Sequence, residues 1–220
     1  MLAVFLVAGS AWANPILDFG VIAPTSGAIS YDGGANSLIG TDIQVDNVLG
    51  LGTSLNPNVT LNLFNGTLNF RTGALDDVWS WGGGPNTSIL LVGGVDINNN
   101  GFIDSEDIPI GTDLMWGTFG NATVTYNGNN FHMAGGGFND FKNEDLLAFY
   151  GLPNMEYSGA FNISFSAPYS AEGGSFASTL VLSGDVTNSP VPEPATMLLL
   201  GSGLVGLAGI GRKKLIRIKR

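Results

Sequence analysis

Short stretches of alternating apolar and polar residues, separated by Gly- and Asn-rich turns, fill the chain from Asn14 to about Pro190. Side chains alternate across a β-strand, so this period of two predicts strands with one buried face. Only NEDLLAFYG, starting at Asn143, indicates a helix, with Asn143 as its N-cap and Gly151 and Pro153 at its end. The pattern predicts an all-β domain, a β-sandwich or jelly roll, with one short helix.

Two Asn-Gly pairs mark expected hairpin turns. VTLNLFNGTLNF alternates on both sides of Asn65-Gly66, and ATVTYNGNNFHM does so around Asn127-Gly128. Asn-Gly is the favoured two-residue turn of a hairpin, so both segments are predicted to fold back on themselves. A third antiparallel pairing is expected between GAFNISFSAP and SFASTLVLSGDVT, across Gly173-Gly174.

The charges are distributed very unevenly. The 220 residues carry a net charge of −10, yet six of the eight basic residues lie at positions 212–220, which leaves Arg71 and Lys142 upstream. A strongly acidic body repels phosphate backbones, so we expect no nucleic-acid partner.

The chain has no cysteine, which excludes disulfides, Cys metal sites and thiol nucleophiles. Its single histidine, His132, stands next to no nucleophile motif, so a Ser-His-Asp triad is not predicted.

The N-terminal segment predicts export. MLAVFLVAGSAWA is apolar and ends in Ala11-Trp12-Ala13, the small-x-small pattern of a signal-peptidase site. Residues 1–13 are therefore predicted to be a signal peptide, with Asn14 as the first residue of a β-domain that spans 14–188. No Lys or Arg precedes the apolar run, and a buried first strand is the alternative interpretation.

The C-terminal segment predicts a membrane anchor. Residues 195–211 carry no charge and are rich in Leu and Gly. As a helix at ~1.5 Å per residue they would span ~25 Å, which is at the short end of what crosses a bilayer. The basic residues 212–220 would stay in the cytoplasm by the positive-inside rule, which places the rest of the chain outside. We predict a transmembrane helix over 195–211 within a tail that spans 189–220.

This tail resembles the PEP-CTERM sorting signal of exported bacterial proteins. The resemblance rests on Val191-Pro192-Glu193-Pro194, the short apolar helix, and the basic cluster that begins with Arg212, Lys213 and Lys214. It implies handling by exosortase, a membrane protease, with transient anchoring in the inner membrane and removal of the tail near Pro192-Glu193-Pro194. The family is associated with biofilm formers that make exopolysaccharide. The same segment also ends some ice-binding proteins, so it predicts where the protein is sorted and not what the protein does.

The segment DINNNGFIDSED has the spacing of a calcium loop. It places potential oxygen ligands at positions 1, 3, 5, 7, 9 and 12, with Gly101 at the sharp bend: Asp96, Asn98, Asn100, Phe102 through its carbonyl, Asp104 and Asp107. The loop resembles those of EF-hand and dockerin proteins, and Asp at position 12 is closer to the dockerin form. Its flanks predict strands rather than a helix pair, so a structural, weakly bound calcium ion is expected. A solvated Asn/Asp/Gly turn that binds nothing is the alternative.

Trp79 and Trp81 are two apart in DVWSWGGG, so on a strand they would share one face. They are candidates for stacking on sugar rings, with burial in the core as the alternative.

Together these features predict an exported, non-enzymatic surface or extracellular-matrix protein with a structural or adhesive role, in contact with exopolysaccharide. The alternatives are a secreted polysaccharide hydrolase, which requires two facing carboxylates, and an ice-binding protein, which requires a regular Thr-rich face.

Overall fold

The structure is a computed structural model that describes residues 14–128 and 130–191. This part of the chain contains thirteen strands and one helix. In chain order they are β1 (Ile16–Val21), β2 (Ala28–Tyr31), β3 (Leu38–Leu51), β4 (Thr60–Arg71), β5 (Leu75–Asp77), β6 (Ser80–Gly82), β7 (Ser88–Val95), β8 (Ile108–Phe119), β9 (Asn121–Tyr126), β10 (Phe131–Lys142), α1 (Glu144–Tyr150), β11 (Tyr157–Ser166), β12 (Phe176–Ala177) and β13 (Leu180–Pro190).

Eight of the strands form a closed antiparallel barrel. Around the ring the order is β1, β3, β4, β7, β8, β10, β11 and β13, and β13 pairs with β1 again. The all-β prediction with one short helix is confirmed, but the sheet closes into a barrel where the sequence predicted a sandwich or jelly roll. These architectures share short alternating strands, and closure depends on the pairing of β10 with β11, which local sequence patterns do not encode.

Large apolar side chains fill the barrel, as expected for an eight-stranded ring whose interior is just wide enough to be packed. Phe70, Phe119, Phe138 and Phe161 come from four different strands, and their ring centroids lie 5.3–6.1 Å apart in the contacting pairs. Tilted and edge-to-face arrangements at such distances are favourable. Glycine lets the rings approach the sheet, since a Cβ at Gly40 would overlap the Phe70 ring.

The remaining strands extend the barrel at the opposite end from the helix. β2 pairs with β3 and β12, while β9 pairs with β10 and β6, and β6 pairs with β5. A second aromatic cluster lies here: Trp81 packs edge-to-face on Tyr31 at 5.0 Å, and Phe176 lies 5.2 Å from Phe131. The two clusters belong to one continuous core.

Helix α1 begins and ends as the sequence predicts. The Asn143 side chain accepts hydrogen bonds from the backbone N–H groups of Asp145 and Leu146, and Gly151 ends the helix in the left-handed conformation. The helix leaves β10, and its Tyr150 hydroxyl donates to the backbone carbonyl of Val48 in β3. Because β3 lies four strands from β10 in a ring of eight, α1 crosses one end of the barrel.

One predicted hairpin is wrong. The strands flanking Asn65-Gly66 do not pair with each other but form the continuous strand β4, which lies between β3 and β7. The left-handed Asn65, with φ of 51°, accommodates an irregularity in the register with both neighbours. A positive φ serves a bulge as well as a turn, so the Asn-Gly signal does not distinguish the two. The Asn127-Gly128 hairpin and the β11–β13 pairing are confirmed.

Within residues 14–128 and 130–191, no helix is long and apolar enough to cross a membrane. The predicted signal peptide 1–13 and the predicted transmembrane helix 195–211 lie outside the described residues. The chain divides after Pro190 into two units, and only Val191 of the second unit belongs to the described part.

Candidate functional sites

The twelve-residue segment predicted to bind calcium forms the loop between β7 and β8. Both flanks are strands, which confirms that no helix pair surrounds it. The loop lies beside α1, because Ile97, Glu106 and Asp107 line the same depression as Asp145 and Phe149 of the helix. It therefore occupies the barrel end that the helix crosses.

The acidic side chains of this loop accept hydrogen bonds from its own backbone. Asp96 is fully buried, and its two oxygens accept from the N–H groups of Asn100, at 3.0 Å, and Gly101, at 2.8 Å. Asp107 accepts from the N–H of Ile97 and of Asp104, and so ties the end of the loop to its start. A backbone hydrogen bond from Glu106 is the main reason that the pKa of Asp104 lies below its ordinary value.

The chemistry of the loop suits a hard cation, but its carboxylates are not gathered around one point. All of the predicted ligands are oxygen atoms, which calcium prefers, and the side-chain oxygens of Asn98 and Asn100 already turn back into the loop to accept backbone N–H groups. Among the described residues, however, no group of three or more Asp, Glu, His or Cys side chains is placed to hold a metal ion. A calcium site at Asp96–Asp107 thus stays a prediction.

Trp79 and Trp81 are buried. Their exposed fractions are 4% and 0%, and their indole N–H groups donate to the backbone carbonyls of Gly174 and Asn36. Trp79 lies in a turn with φ of 46°, so the two residues do not form the predicted strand face. Neither ring offers a free face to a sugar, and the alternative of core packing fits their placement.

An exposed aromatic pair that the sequence reasoning missed lies on the outside of the barrel. Trp116 of β8 and Phe141 of β10 are directly opposite in the register, 42% and 43% exposed, and stacked with centroids 6.3 Å apart. Trp116 also borders a depression of 480 Å³ lined by polar side chains, among them Asp113, Asn143 and Glu144. Alternation along MWG and DFK places Trp116 and Phe141 on the opposite face from their neighbours. The sequence alone does not show which of the two faces points into the barrel.

His132 contacts a serine across the β10–β11 pair. Its Nδ1 lies 2.9 Å from the hydroxyl of Ser164, and its Nε2 lies 2.8 Å from the side-chain nitrogen of Asn127. The second partner is an amide rather than a carboxylate. A triad needs an acid there to orient the ring and stabilise its charged form, so this arrangement does not build one.

A buried polar cluster, also missed by the sequence reasoning, lies inside the barrel below α1. Asp140 and Lys142 are two apart on β10 and point inward, and Asn188 of β13 points inward beside them; their exposed fractions are 0%, 1% and 2%. The Lys142 ammonium pairs with Asp140, donates to Oδ1 of Asn188 at 3.0 Å, and lies 5.0 Å from the centre of the Tyr157 ring. Lys142 was visible in the sequence as one of two basic residues upstream of position 212.

Burial changes the acidity of the pair. Loss of solvation raises the pKa of Asp140 to about 6 even though the charge of Lys142 opposes the shift, and it lowers the pKa of Lys142 to about 8. Both shifts have the same cause, since a low dielectric penalises the charged form of each group. They bring the neutral amine and the neutral carboxylic acid closer in free energy to the ion pair.

A comparison with known protein families finds a match in the tail of the chain. A family model for the PEP-CTERM protein-sorting motif matches residues 190–213. The motif implies export with sorting in transit through the membrane, and recognition by exosortase, a membrane enzyme. The predicted sorting residues Val191 to Pro194, Arg212 and Lys213 fall inside the match, and Lys214 follows it directly. Of these residues, only Val191 lies in the described part of the chain.

Comparisons with curated proteins and with solved structures give no match. The PEP-CTERM match lies in the tail and includes only Pro190 of the barrel.

Proposed function

We propose that this chain is an exported surface or extracellular-matrix protein whose barrel has a structural or adhesive role. The observation that carries the proposal is the PEP-CTERM motif, which begins at Pro190, the last residue of β13. The match thus begins at the residue where the last strand of the barrel ends. A barrel with a packed aromatic interior suits a role in which the outer surface, rather than a cavity, meets the partner.

We further propose that the barrel contacts exopolysaccharide through Trp116 and Phe141. Stacked, half-exposed rings provide an apolar platform for the C–H faces of sugars. The neighbouring Asp113, Asn143 and Glu144 supply acceptors and donors for sugar hydroxyls. The acidic body favours a neutral polysaccharide, since an anionic one would be repelled.

Calcium has a structural role in this proposal. The loop Asp96–Asp107 would hold the ion through Asp96, Asn98, Asn100, the Phe102 carbonyl, Asp104 and Asp107, and the ion would fix the β7–β8 connection beside α1. Two neutral Asn ligands predict weak binding, in the ~10⁻⁴ to 10⁻³ M range of extracellular modules.

Sorting is tested by replacing Pro192-Glu193-Pro194 with three alanines in a host that has exosortase. The wild-type chain is expected at the cell surface or in the medium, and the variant is expected to stay in the membrane fraction, as measured by immunoblot of cell fractions. Equal export of both chains would contradict sorting by the motif.

Polysaccharide contact is tested with Trp116→Ala in the full chain, using neutral bacterial polysaccharides in a pull-down. Binding is expected to fall about 5- to 12-fold, which corresponds to the loss of one stacking platform of about 1–1.5 kcal/mol. Phe102→Ala is the matched control, because Phe102 is an exposed aromatic residue (73%) that belongs to the β7–β8 loop rather than to the stacked pair. Equal loss in both variants, or none in either, would overturn the role of Trp116. Release of new reducing ends would favour a hydrolase instead.

A further inference from the structure

We propose that Lys142 and Asn188 become joined by an isopeptide bond, formed within the barrel by the chain itself. The bond would link Nζ of Lys142 to Cγ of Asn188. The two residues lie on β10 and β13, which are separated in the ring by β11, and both side chains point into the interior. Nζ is 3.0 Å from Oδ1 of Asn188, so the amine already touches the amide group that it would attack.

The surroundings hold the two groups in contact. The side-chain nitrogen of Asn188 donates to the Val186 carbonyl at 3.3 Å, which fixes the plane of the amide. Gly159 of β11 lies between the two strands, and a Cβ there would overlap Oδ1 of Asn188 and the Phe138 ring. Glycine at this position therefore leaves the space in which the amine and the amide meet.

Asp140 has the properties of the group that transfers protons in such a reaction. One of its oxygens pairs with the Lys142 ammonium. The other, Oδ2, is buried and has no hydrogen-bond partner among the described residues. A buried carboxylate oxygen without a partner is costly, whereas a protonated carboxyl at the same place is much less so. The unpaired oxygen thus lowers the free-energy cost of moving a proton from the ammonium to Asp140. The shifted pKa values, about 8 for Lys142 and about 6 for Asp140, lower that cost further, while the ion pair remains the more stable form.

The atoms balance without any further reactant. Lys142 gives one proton to Asp140, and the lone pair of the resulting amine forms a bond to Cγ of Asn188. The Asp140 acid stabilises the negative charge that develops on Oδ1, as a general acid. A second proton moves from Nζ to Nδ2 by way of Asp140, the Cγ–Nδ2 bond breaks, and ammonia leaves. One proton stays on the new amide nitrogen, and Asp140 ends neutral, or ionised if its proton leaves with the ammonia.

Two physical effects favour this reaction inside the barrel, although an ordinary contact between Lys and Asn does not react. Groups that the fold holds in contact avoid the entropy cost of bringing two reactants together. For well-oriented groups this effect corresponds to an effective molarity of ~10⁵ M or more. Burial removes the water that keeps a surface lysine protonated, so a larger share of the amine is nucleophilic. The product also removes the charge of Lys142 from the interior, where a buried ion is expensive.

The proposal is tested by the mass and the tryptic digest of the full, folded chain. The wild-type protein should be about 17 Da lighter than its sequence, the mass of one ammonia. In denaturant, trypsin should cut after Arg71 but not after Lys142, because an acylated lysine is not a substrate. The fragment that starts at Thr72 should then contain both strands, and tandem mass spectrometry should join Lys142 to Asn188.

Three variants provide matched controls. Asn188→Ala removes the electrophile, Asp140→Asn removes the proton-transfer group, and Lys142→Arg keeps the charge without the nucleophile. All three should have the full sequence mass and be cut at position 142. A wild-type chain of full mass that trypsin cuts at Lys142 would overturn the proposal, even if every variant failed to fold. A mass deficit that persists in Lys142→Arg would also overturn it, since the ammonia would then come from another residue.

Discussion

At the scale of single residues, Asp18 in β1 is the clearest case of a charge that the fold tolerates poorly. One of its oxygens is buried and has no hydrogen-bond partner within the described part of the chain. Burial, and then the charge of Asp185, raise the pKa of Asp18 above its ordinary value. A carboxyl whose pKa rises on folding stabilises the fold at low pH, and that contribution is lost as the pH rises through the folded-state pKa.

We therefore expect Asp18→Asn to raise the free energy of unfolding at neutral pH, because the amide carries no charge to desolvate. The gain should disappear when the pH falls below the unfolded pKa of an aspartate, about 3.9, where both proteins are neutral at this position. Urea unfolding across this pH range measures the difference. Asp32→Asn, at an exposed position, is the control for the change in residue type. A gain that is independent of pH would contradict the explanation.

Gly159 carries a second prediction at this scale. A methyl group there meets the Phe138 ring and Oδ1 of Asn188, so Gly159→Ala should lower the free energy of unfolding by about 1–3 kcal/mol, as overpacking does. Ser158→Ala, at the exposed neighbouring position, should change it by less than about 0.5 kcal/mol. Chemical denaturation of the two variants gives the comparison. Equal stability would show that the space at Gly159 is not needed.

At the scale of secondary-structure elements, α1 depends on its N-cap. Asn143→Ala removes the acceptor of two backbone N–H groups, and we expect a loss of about 0.5–2 kcal/mol in the free energy of unfolding. Asn162→Ala replaces an exposed Asn on β11 and is the control for the change in residue type. Thermal unfolding followed by circular dichroism measures both. An equal effect of the two substitutions would mean that the cap contributes nothing specific.

The β7–β8 loop allows a test of calcium that does not damage the fold. Asp96→Ala is a poor choice, because it also removes two buried hydrogen bonds and would destabilise the protein with or without the ion. Asn98→Asp adds a charged ligand at an exposed position instead. We expect it to enlarge the rise in melting temperature that millimolar calcium causes, and to lower stability slightly in chelator. If calcium stabilises neither protein, the proposed site is wrong.

At the scale of the whole molecule, closure of the barrel predicts a pattern of amide protection. In the ring, β11 and β13 each have hydrogen-bonded neighbours on both sides. Their amides should exchange with deuterium as slowly as those of β4, which lies between β3 and β7. Hydrogen-exchange mass spectrometry resolves these strands. Fast exchange confined to β10 and β11 would instead indicate an open sheet with free edges.

Features with a local physical cause could be predicted from the sequence. The ends of α1 follow from the cap chemistry of Asn143 and Gly151, and the position of the β7–β8 loop follows from the spacing between Asp96 and Asp107. The strands follow from alternation. Even so, a local signal can have two structural uses, and the positive φ of Asn65 serves a bulge inside β4 rather than a turn.

Features that depend on distant pairing could not be predicted. The β10–β11 pairing that closes the barrel brings together segments whose sequence patterns fit a sandwich equally well. Lys142 and Asn188 are 46 positions apart along the chain. They meet in the interior only because β10 and β13 lie on either side of β11. Trp116 is exposed and Trp81 is buried because of which face of the sheet points into the core, and that also depends on the distant pairing of strands.

The first and last strands of the barrel, β1 and β13, are hydrogen-bonded neighbours, with Leu17 opposite Asn188. The sorting tail continues directly from β13, so tension on the tail while the barrel is held acts on a strand that is paired on both sides. Since Leu17 lies opposite Asn188, β1 begins and β13 ends at the same end of the barrel. A strand that is hydrogen-bonded on both sides leaves the sheet only when both rows of bonds break, so the pairing that closes the ring also secures the strand from which the chain leaves it.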